Sequence, residues 1–359
     1  MTYGIGTAVA KGSIFVLLLS VLAHPGSSAA QELPSFEPRG RLHTDAVLIS
    51  NENLNAGNTA FVRRARLGVS GHLAPSWGFQ VEFDFAEDEV STNDVFLERT
   101  LPVGSLKIGQ TKVPFSMNEL SSSNRIAFIE RASPSNAFAD ARRLGANYAH
   151  FGERLGLQAM AYTRAIGDER DLPLGIGGRL TASPRLGPEH RFHAGISGTF
   201  ERMDRWEAAS FSDRPEGRVE GGAVRLVNVG IDSDVSSVRK TGLEGGYQNG
   251  PLTVETEFFR VAVNRNTGLE PTFNGFYAQA TYTLTGESRG YGGGTFRAVS
   301  PSSGLGAWEV GARFSHVDLN HQGFQGGEQN NLTLGLTWAA SDNVRFMANV
   351  VRALSARLS

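Results

Sequence analysis

Apolar and polar residues alternate one for one along most of the chain. Between Trp77 and Ala86, Trp77, Phe79, Val81, Phe83 and Phe85 fall on one side and Gln80, Glu82 and Asp84 on the other. The segment 273–285 sets Phe276, Ala278, Ala280, Tyr282 and Leu284 against Tyr277, Gln279, Thr281 and Thr283. The segment 307–319 sets Trp308, Val310, Ala312 and Phe314 against Glu309, Gly311, Arg313 and Ser315. A period of two is that of a β-strand, whose side chains point alternately to opposite faces. Strands are predicted over 41–50, 59–73, 77–87, 93–101, 104–112, 143–150, 154–164, 175–184, 190–201, 238–249, 251–263, 273–285, 307–319, 327–340 and 342–352. Many reach the ~9–11 residues with which a tilted strand crosses a bilayer. Their polar faces carry Gly, Ser, Thr and charge, a set that does not fill a core.

The strand containing FVRRARLGVSG, Phe61–Gly71, shows the pattern most sharply. Arg64 and Arg66 share a face with Gly68 and Ser70, while Ala65, Leu67 and Val69 share the other. Arg63 falls on the oily face near the outer end of the strand and reads as an interfacial or headgroup contact.

Connections near Pro75, Pro102, Gly152, Gly187, Pro251 and Asp342 are short, whereas 113–142 and 202–237 are long. Short turns at one rim and long loops at the other mark an outer-membrane β-barrel, and a soluble sandwich has no need of them. The expected fold is therefore all-β, a transmembrane antiparallel barrel. Fifteen strands are countable, and single-chain bacterial barrels have an even number. The count leaves the C-terminal closing strand missing or truncated, with Arg352–Ser359 as a stub of it.

Composition narrows the class further. The 43 glycines, 14 prolines and 22 phenylalanines suit strands and tight turns. A net charge of −2 excludes a broadly basic nucleic-acid binder. Lysine occurs only at Lys11, Lys107, Lys112 and Lys240, so the basic residues are overwhelmingly arginine, the side chain suited to gripping oxyanions. There is no cysteine, hence no disulfide and no thiolate chemistry. Lys11, the apolar run Ile14–Ala23 and the small residues Ser28–Ala30 form a signal peptide over 1–30. A periplasmic segment at 31–40 and a barrel domain at 41–359 are expected to follow. No cofactor or metal site is expected: His190 and His193 project to opposite faces of one strand. GESRG, Gly286–Gly290, matches a nucleophile-elbow pattern but precedes a glycine-rich run that cannot continue as the required helix. It reads as a periplasmic turn.

With these segments in order, the chain resembles the phosphate-selective porin O and P family. The resemblance rests on FVRRARLGVSG, on Leu106–Phe138, on RPEGR at 214–218, on FYAQATYTLTGESRGY, and on GAWEVGARFSHVDL with GEQNNLTLGLTW. It implies a trimeric barrel of about sixteen strands in the outer membrane that passes small anions such as phosphate. It also implies that a long loop, here 113–142, folds into the lumen. The resemblance implies an arginine ladder down the wall and a lysine on the inward loop; this chain keeps arginine in the loop at Arg125, Arg131, Arg142 and Arg143 but has lysine only at its threshold, Lys112, which points to a general anion or small-solute pore.

On the strands, Arg64, Arg66, Lys107, Arg154, Arg164, Arg313 and Arg345 lie on polar faces. They either line a lumen and attract anions or pair with Glu82, Asp84, Glu98, Glu255, Glu257 and Glu309. No catalytic residue is expected. Outer-membrane lipid and further copies of the chain are the expected partners, with no nucleic acid. The competing readings are an outer-membrane hydrolase built on His316 and Asp318, and a secreted soluble β-sandwich.

Overall fold

The computed structural model describes residues 34–49, 58–86, 89–168, 173–187, 189–218 and 224–357. The leader expected at 1–30 lies outside the described residues. Alternation becomes strand almost everywhere: β1 (Ser35–Val47), β2 (Thr59–Ala74), β3 (Trp77–Asp84), β4 (Ser91–Thr100), β5 (Ser105–Lys112), β6 (Arg142–Phe151), β7 (Leu155–Tyr162), β8 (Leu174–Ala182), β9 (Arg185–Leu186), β10 (His190–Asp213), β11 (Val227–Asn249), β12 (Leu252–Arg265), β13 (Thr272–Thr283), β14 (Tyr291–Gly292), β15 (Thr295–Phe296), β16 (Ala307–His321), β17 (Phe324–Ala339) and β18 (Arg345–Arg357). The long strands pair antiparallel in chain order, β1 to β8, then β10 to β13, then β16 to β18. The short β9 adds to β10, and β14–β15 is a separate hairpin.

The fifteen expected strands correspond in order to this path, with shifted ends. β1 already begins at Ser35, so 35–40 is strand and not a periplasmic segment. β10 and β11 continue through most of the expected loop 202–237, pairing as far as Asp213 with Val227. Residues 352–357 pair with β17 as part of β18, Leu332 opposite Arg352 and Glu328 opposite Arg357, and do not start a further strand. Among the described residues no ladder joins β18 to β1.

One face of the sheet is an apolar belt. Leu67, Leu97, Ile108, Ile176, Leu180, Leu243, Leu334 and Val350 are exposed, while the adjoining Arg179, Glu244 and Thr333 turn inward and are buried. In water such a belt is a liability; facing lipid it is the stable arrangement. Trp308, Trp338 and Phe346 stack in sequence, with ring centroids 5.6 and 5.4 Å apart, beside the turn 340–344. This is where amphipathic rings meet the membrane interface. No described helix is long and apolar enough to cross a membrane.

The inward face closes around the segment 113–141, which carries the short helices α1 (Met117–Leu120) and α2 (Ser133–Phe138). This segment bonds to Arg63 on β2, Glu257 on β12, Arg313 on β16 and Arg345 on β18. Strands so far apart in the order can all touch one segment only if the sheet curls around it.

Two features depart from the sequence reading. The lumen does hold an apolar core: Phe115 and Phe138 of the segment bury against Phe211, Phe259, Val261, Phe273, Val317 and Leu319. Those residues occupy inward positions toward the loop ends of β10 to β16, where the inward face turns from polar to apolar. The alternation of connection lengths also breaks. β16 and β17 join across 322–323 alone on the long-loop rim, whereas the turn-side connection 284–306 between β13 and β16 is long. The latter folds inward, with Arg179 donating to the carbonyl of Gly294 at 2.6 Å and Arg289 donating to Glu309 at 2.8 Å. GESRG opens this inserted segment and is no tight turn.

Candidate functional site

The site begins with a β-bulge. His43 of β1 pairs with Arg64, but the next residue, Thr44, pairs with Val62, which leaves Arg63 as the extra residue of β2. A bulge resets the period-2 parity. Ala60 and Val62 point outward on one side of it, Leu67 on the other, so Arg63 and Arg64 both turn inward. Arg63 is therefore not a headgroup contact. It is 3% exposed, with Nε 2.7 Å from Asp45, Nη2 2.9 Å from Glu130 and Nη1 donating to the carbonyl of Ile129 at 2.7 Å.

The segment 113–141 is fastened on every side by such bonds. Glu257 of β12 accepts from the backbone N–H groups of Met117 and Asn118 at 2.8 and 2.7 Å, answering two of the unpaired donors at the start of α1. Ser116 sits there at φ 68°, a left-handed conformation that costs a serine energy, and its hydroxyl accepts from Glu119 N–H and meets Glu257. Arg131 joins Glu119 at 2.8 Å and donates to the carbonyls of Asn118 and Ser121. Lys112 meets Glu119 at 3.3 Å, as well as its carbonyl and that of Ser121. Burial pushes the Glu119 carboxyl up, and Arg131 and Lys112 beside it more than reverse this, leaving it below the ordinary carboxylate value. Glu130 behaves alike, with burial opposed by Arg63, Arg64 and Arg131. Both are favoured as carboxylates in place, and their ion pairs tie the segment down as a partition.

What the partition leaves open is a cavity of about 760 Å³ against β1 to β7. Nine cationic side chains line it, Arg39, Arg41, Arg64, Arg66, Lys107, Lys112, Arg125, Arg131 and Arg142, against three acidic ones, Asp94, Glu98 and Glu119. The other half of the lumen is filled by the apolar core, by 284–306, and by Glu216, which accepts from Arg313, Ser315 and Thr333 at 2.5 to 2.6 Å.

The sequence matches the family described as phosphate-selective porin O and P over residues 36–357. The chain belongs to that family. It is 25% identical over 375 residues to Porin O of Pseudomonas aeruginosa, covering 90% of this chain and 84% of that protein. In fold it is similar to an anion-selective porin from Comamonas acidovorans, with TM-score 0.57, 13% identity and 89% and 88% of the two chains covered. It is similar too to the trimer form of OmpT, an outer membrane protein of Vibrio cholerae, with TM-score 0.57, 12% identity and 90% of each chain covered. The protein is an outer-membrane β-barrel porin.

In this porin the expected anion-contacting residues separate into groups. Arg64, Arg66, Lys107, Lys112, Arg125, Arg131 and Arg142 reach the cavity. Among them Arg66 is paired with Asp84 at 2.7 Å, Arg142 with Asp94 through two 3.0 Å bonds, and Lys112 and Arg131 with Glu119. Five do not line the cavity. Arg143 pairs with Asp140 at 2.9 Å. Arg164 follows the end of β7 and pairs with Glu207. Arg313 is 2% exposed beneath Glu216 and Phe128. Arg345 donates to the carbonyls of Ile126 and Ser123. Arg154 belongs to the exposed tight turn between β6 and β7 and not to a strand, because Gly152 N–H bonds back to Leu155 there.

Arg39 and Arg41 were not singled out from the sequence, yet both line the cavity. The signal was present: both precede Leu42 at period 2, opposite Gly68 and Arg66. Among the described residues, Arg39, Arg64 and Arg125 have no carboxylate within ion-pair distance. Arg64 makes only a 3.4 Å contact to His43 Nδ1.

Proposed function

We propose that this porin passes small anions by diffusion through an eccentric pore along β1 to β7, with Arg39, Arg64 and Arg125 as the guanidinium groups a solute meets. The observation that carries this is the excess of nine cationic over three acidic side chains around the cavity. A narrow, low-dielectric passage with such a lining raises the local concentration of anions and repels cations. Transport is attraction, handover between arginines and release, with no covalent step. The pairing of Lys112 with Glu119 and the loop carbonyls favours a general anion pore, because that lysine has no spare charge for a dedicated phosphate site.

The protein assembles as a homotrimer in this reading, as the Vibrio cholerae structure does. A pore is favoured over a hydrolase because His316 bonds to Asn330 at 2.8 Å and Asp318 to Asn320, so the two do not form a catalytic pair. Planar-bilayer recording in a potassium chloride gradient tests the proposal. The reversal potential should report chloride over potassium, and the double variant Arg39→Glu with Arg64→Glu should reverse its sign. Cation selectivity in the unaltered protein would overturn the reading.

A further inference from the structure

Phe96 is out of place among the charges of the pore. It occupies an inward position on β4 between Asp94 and Glu98, opposite Gln80 on β3 and Gly109 on β5, and it lines the cavity. An inward ring in a wall built to pass hydrated ions exposes apolar surface to water without reward. Its surroundings leave it bare. Gly109 has φ 134°, a conformation that side chains rarely adopt, and a Cβ there would run into the backbone of Val95 and Phe96. Directly opposite the ring, the neighbouring strand therefore presents no side chain.

A cation stands over that ring. Lys107 Nζ lies 4.4 Å from the centroid of Phe96, and its carboxylate neighbour, Glu98, is 3.9 Å away, the edge of ion-pair distance. Both side chains of this loose pair keep about a third of their surface exposed, 33% and 31%. Lys107 differs in this from Lys112, Arg131 and Arg142, whose partners sit at 2.8 to 3.3 Å in buried settings. The wall thus offers an accessible ammonium and an apolar ring within one small molecule's span. Leu120 and Phe151 are further apolar residues in the lining of the same cavity.

We propose that Lys107 and Phe96 form a two-point subsite for aromatic carboxylates, the carboxylate meeting Lys107 and the ring packing on Phe96 and its apolar neighbours. This rests on the anion-pore reading and names the solute class within it. Glu98 sets the exchange: it competes for Lys107, so a carboxylate is held long enough to be handed on and is then displaced. Aromatic packing adds to the attraction that any monovalent anion feels.

The test compares benzoate with acetate, two carboxylates of equal charge, by reversal potentials in planar bilayers of the full-length protein. A plain aqueous pore favours the smaller, faster acetate. The unaltered protein should show a benzoate-to-acetate permeability ratio of one or more. Phe96→Leu, which keeps an apolar side chain but removes the ring, should lower that ratio at least about twofold, the low end of what one aromatic contact supplies. Phe96→Tyr should keep it, and Lys107→Gln should lower it. A ratio below one in the unaltered protein, or a ratio unmoved by Phe96→Leu, overturns the subsite. If Phe96→Leu does not insert, Lys107→Gln decides alone, and no change there overturns it equally. Failure of the underlying reading looks different, because the channel would then prefer potassium over chloride in plain salt.

Discussion

Arg63 Nη2 lies 2.9 Å from Glu130 Oε2, joining the bulge of β2 to the inward segment 67 residues further along the chain. The same guanidinium holds Asp45 at 2.7 Å, so one side chain ties β1, β2 and the constriction together. Arg345 does the corresponding work from β18, through the carbonyls of Ser123 and Ile126. Ser123 is shared, its hydroxyl accepting from Arg41 of β1 at 2.9 Å. Two of the arginines that fix the constriction, Arg63 and Arg345, lie outside the cavity lining.

Arg63→Ala should loosen the constriction, because it strands the Glu130 and Asp45 carboxylates. Removing one partner of a buried ion pair costs about 3–5 kcal/mol. The expected result is a larger and noisier single-channel conductance at nearly unchanged anion preference. Single-channel recording checks this; a quiet channel of unaltered conductance would show that Arg63 does not hold the segment.

Gly311 and Gly335 face each other on β16 and β17 and make the hollow in which Phe128 lies. A Cβ at either glycine would come within 3.0 Å of that ring. Gly311→Val and Gly335→Val should each push Phe128 out of the hollow, at about 1–3 kcal/mol for overpacking. Protease cleavage within 113–141, followed by mass spectrometry, should rise in both variants. Gly230→Val, where an added Cβ meets nothing within 4 Å, serves as the control.

The wall was legible in the sequence because one face in lipid and one in water enforce strict alternation, as at Trp308, Val310 and Ala312 against Glu309, Gly311 and Arg313. The bulge at Arg63 was not, since parity counting assumes an unbroken ladder and the extra residue is defined only by what lies opposite on β1. Nor could the sequence separate a free arginine from a paired one. Arg64 and Arg66 look equivalent by period, but the register brings Asp84 opposite Arg66 and, among the described residues, no carboxylate within ion-pair distance of Arg64. The inward course of 284–306 was hidden because two of its anchors, Arg179 and His193, come from distant strands, and only Glu309 from the adjoining β16.

That difference between neighbouring arginines is itself testable. Arg64→Gln should cut the chloride-to-potassium permeability ratio at least about twofold, since it removes from the pore wall a charge that is opposed by Glu130 only beyond ion-pair distance. Arg66→Gln should change it less, because its charge is already opposed by Asp84 at 2.7 Å and Glu82 at 3.6 Å. Equal effects would mean that the ion pairs do not decide which arginine a solute meets. Raising the salt should shrink the Arg64 effect as screening sets in.

Acid should release the constriction before it unfolds the wall. In Glu119, Glu130 and Asp140 burial raises the carboxyl, and nearby cations more than reverse it: Arg131 and Lys112 for the first, Arg63 and Arg64 for the second, Lys240 and Arg143 for the third. All three end below their ordinary values of 4.5, 4.5 and 3.8. A carboxylate whose value is lowered in the folded state adds stability that is complete above its ordinary value and is lost as pH falls through the lowered one. The three act on one segment, so the loss is concerted and begins as pH drops below about 4. Conductance noise and protease access to 113–141 should both rise there, while the strands, held by backbone ladders, keep their circular dichroism. Asp140→Asn should move the onset to higher pH by leaving Lys240 and Arg143 without their shared carboxylate. An onset that stays put in this variant would mean that another group governs the acid response.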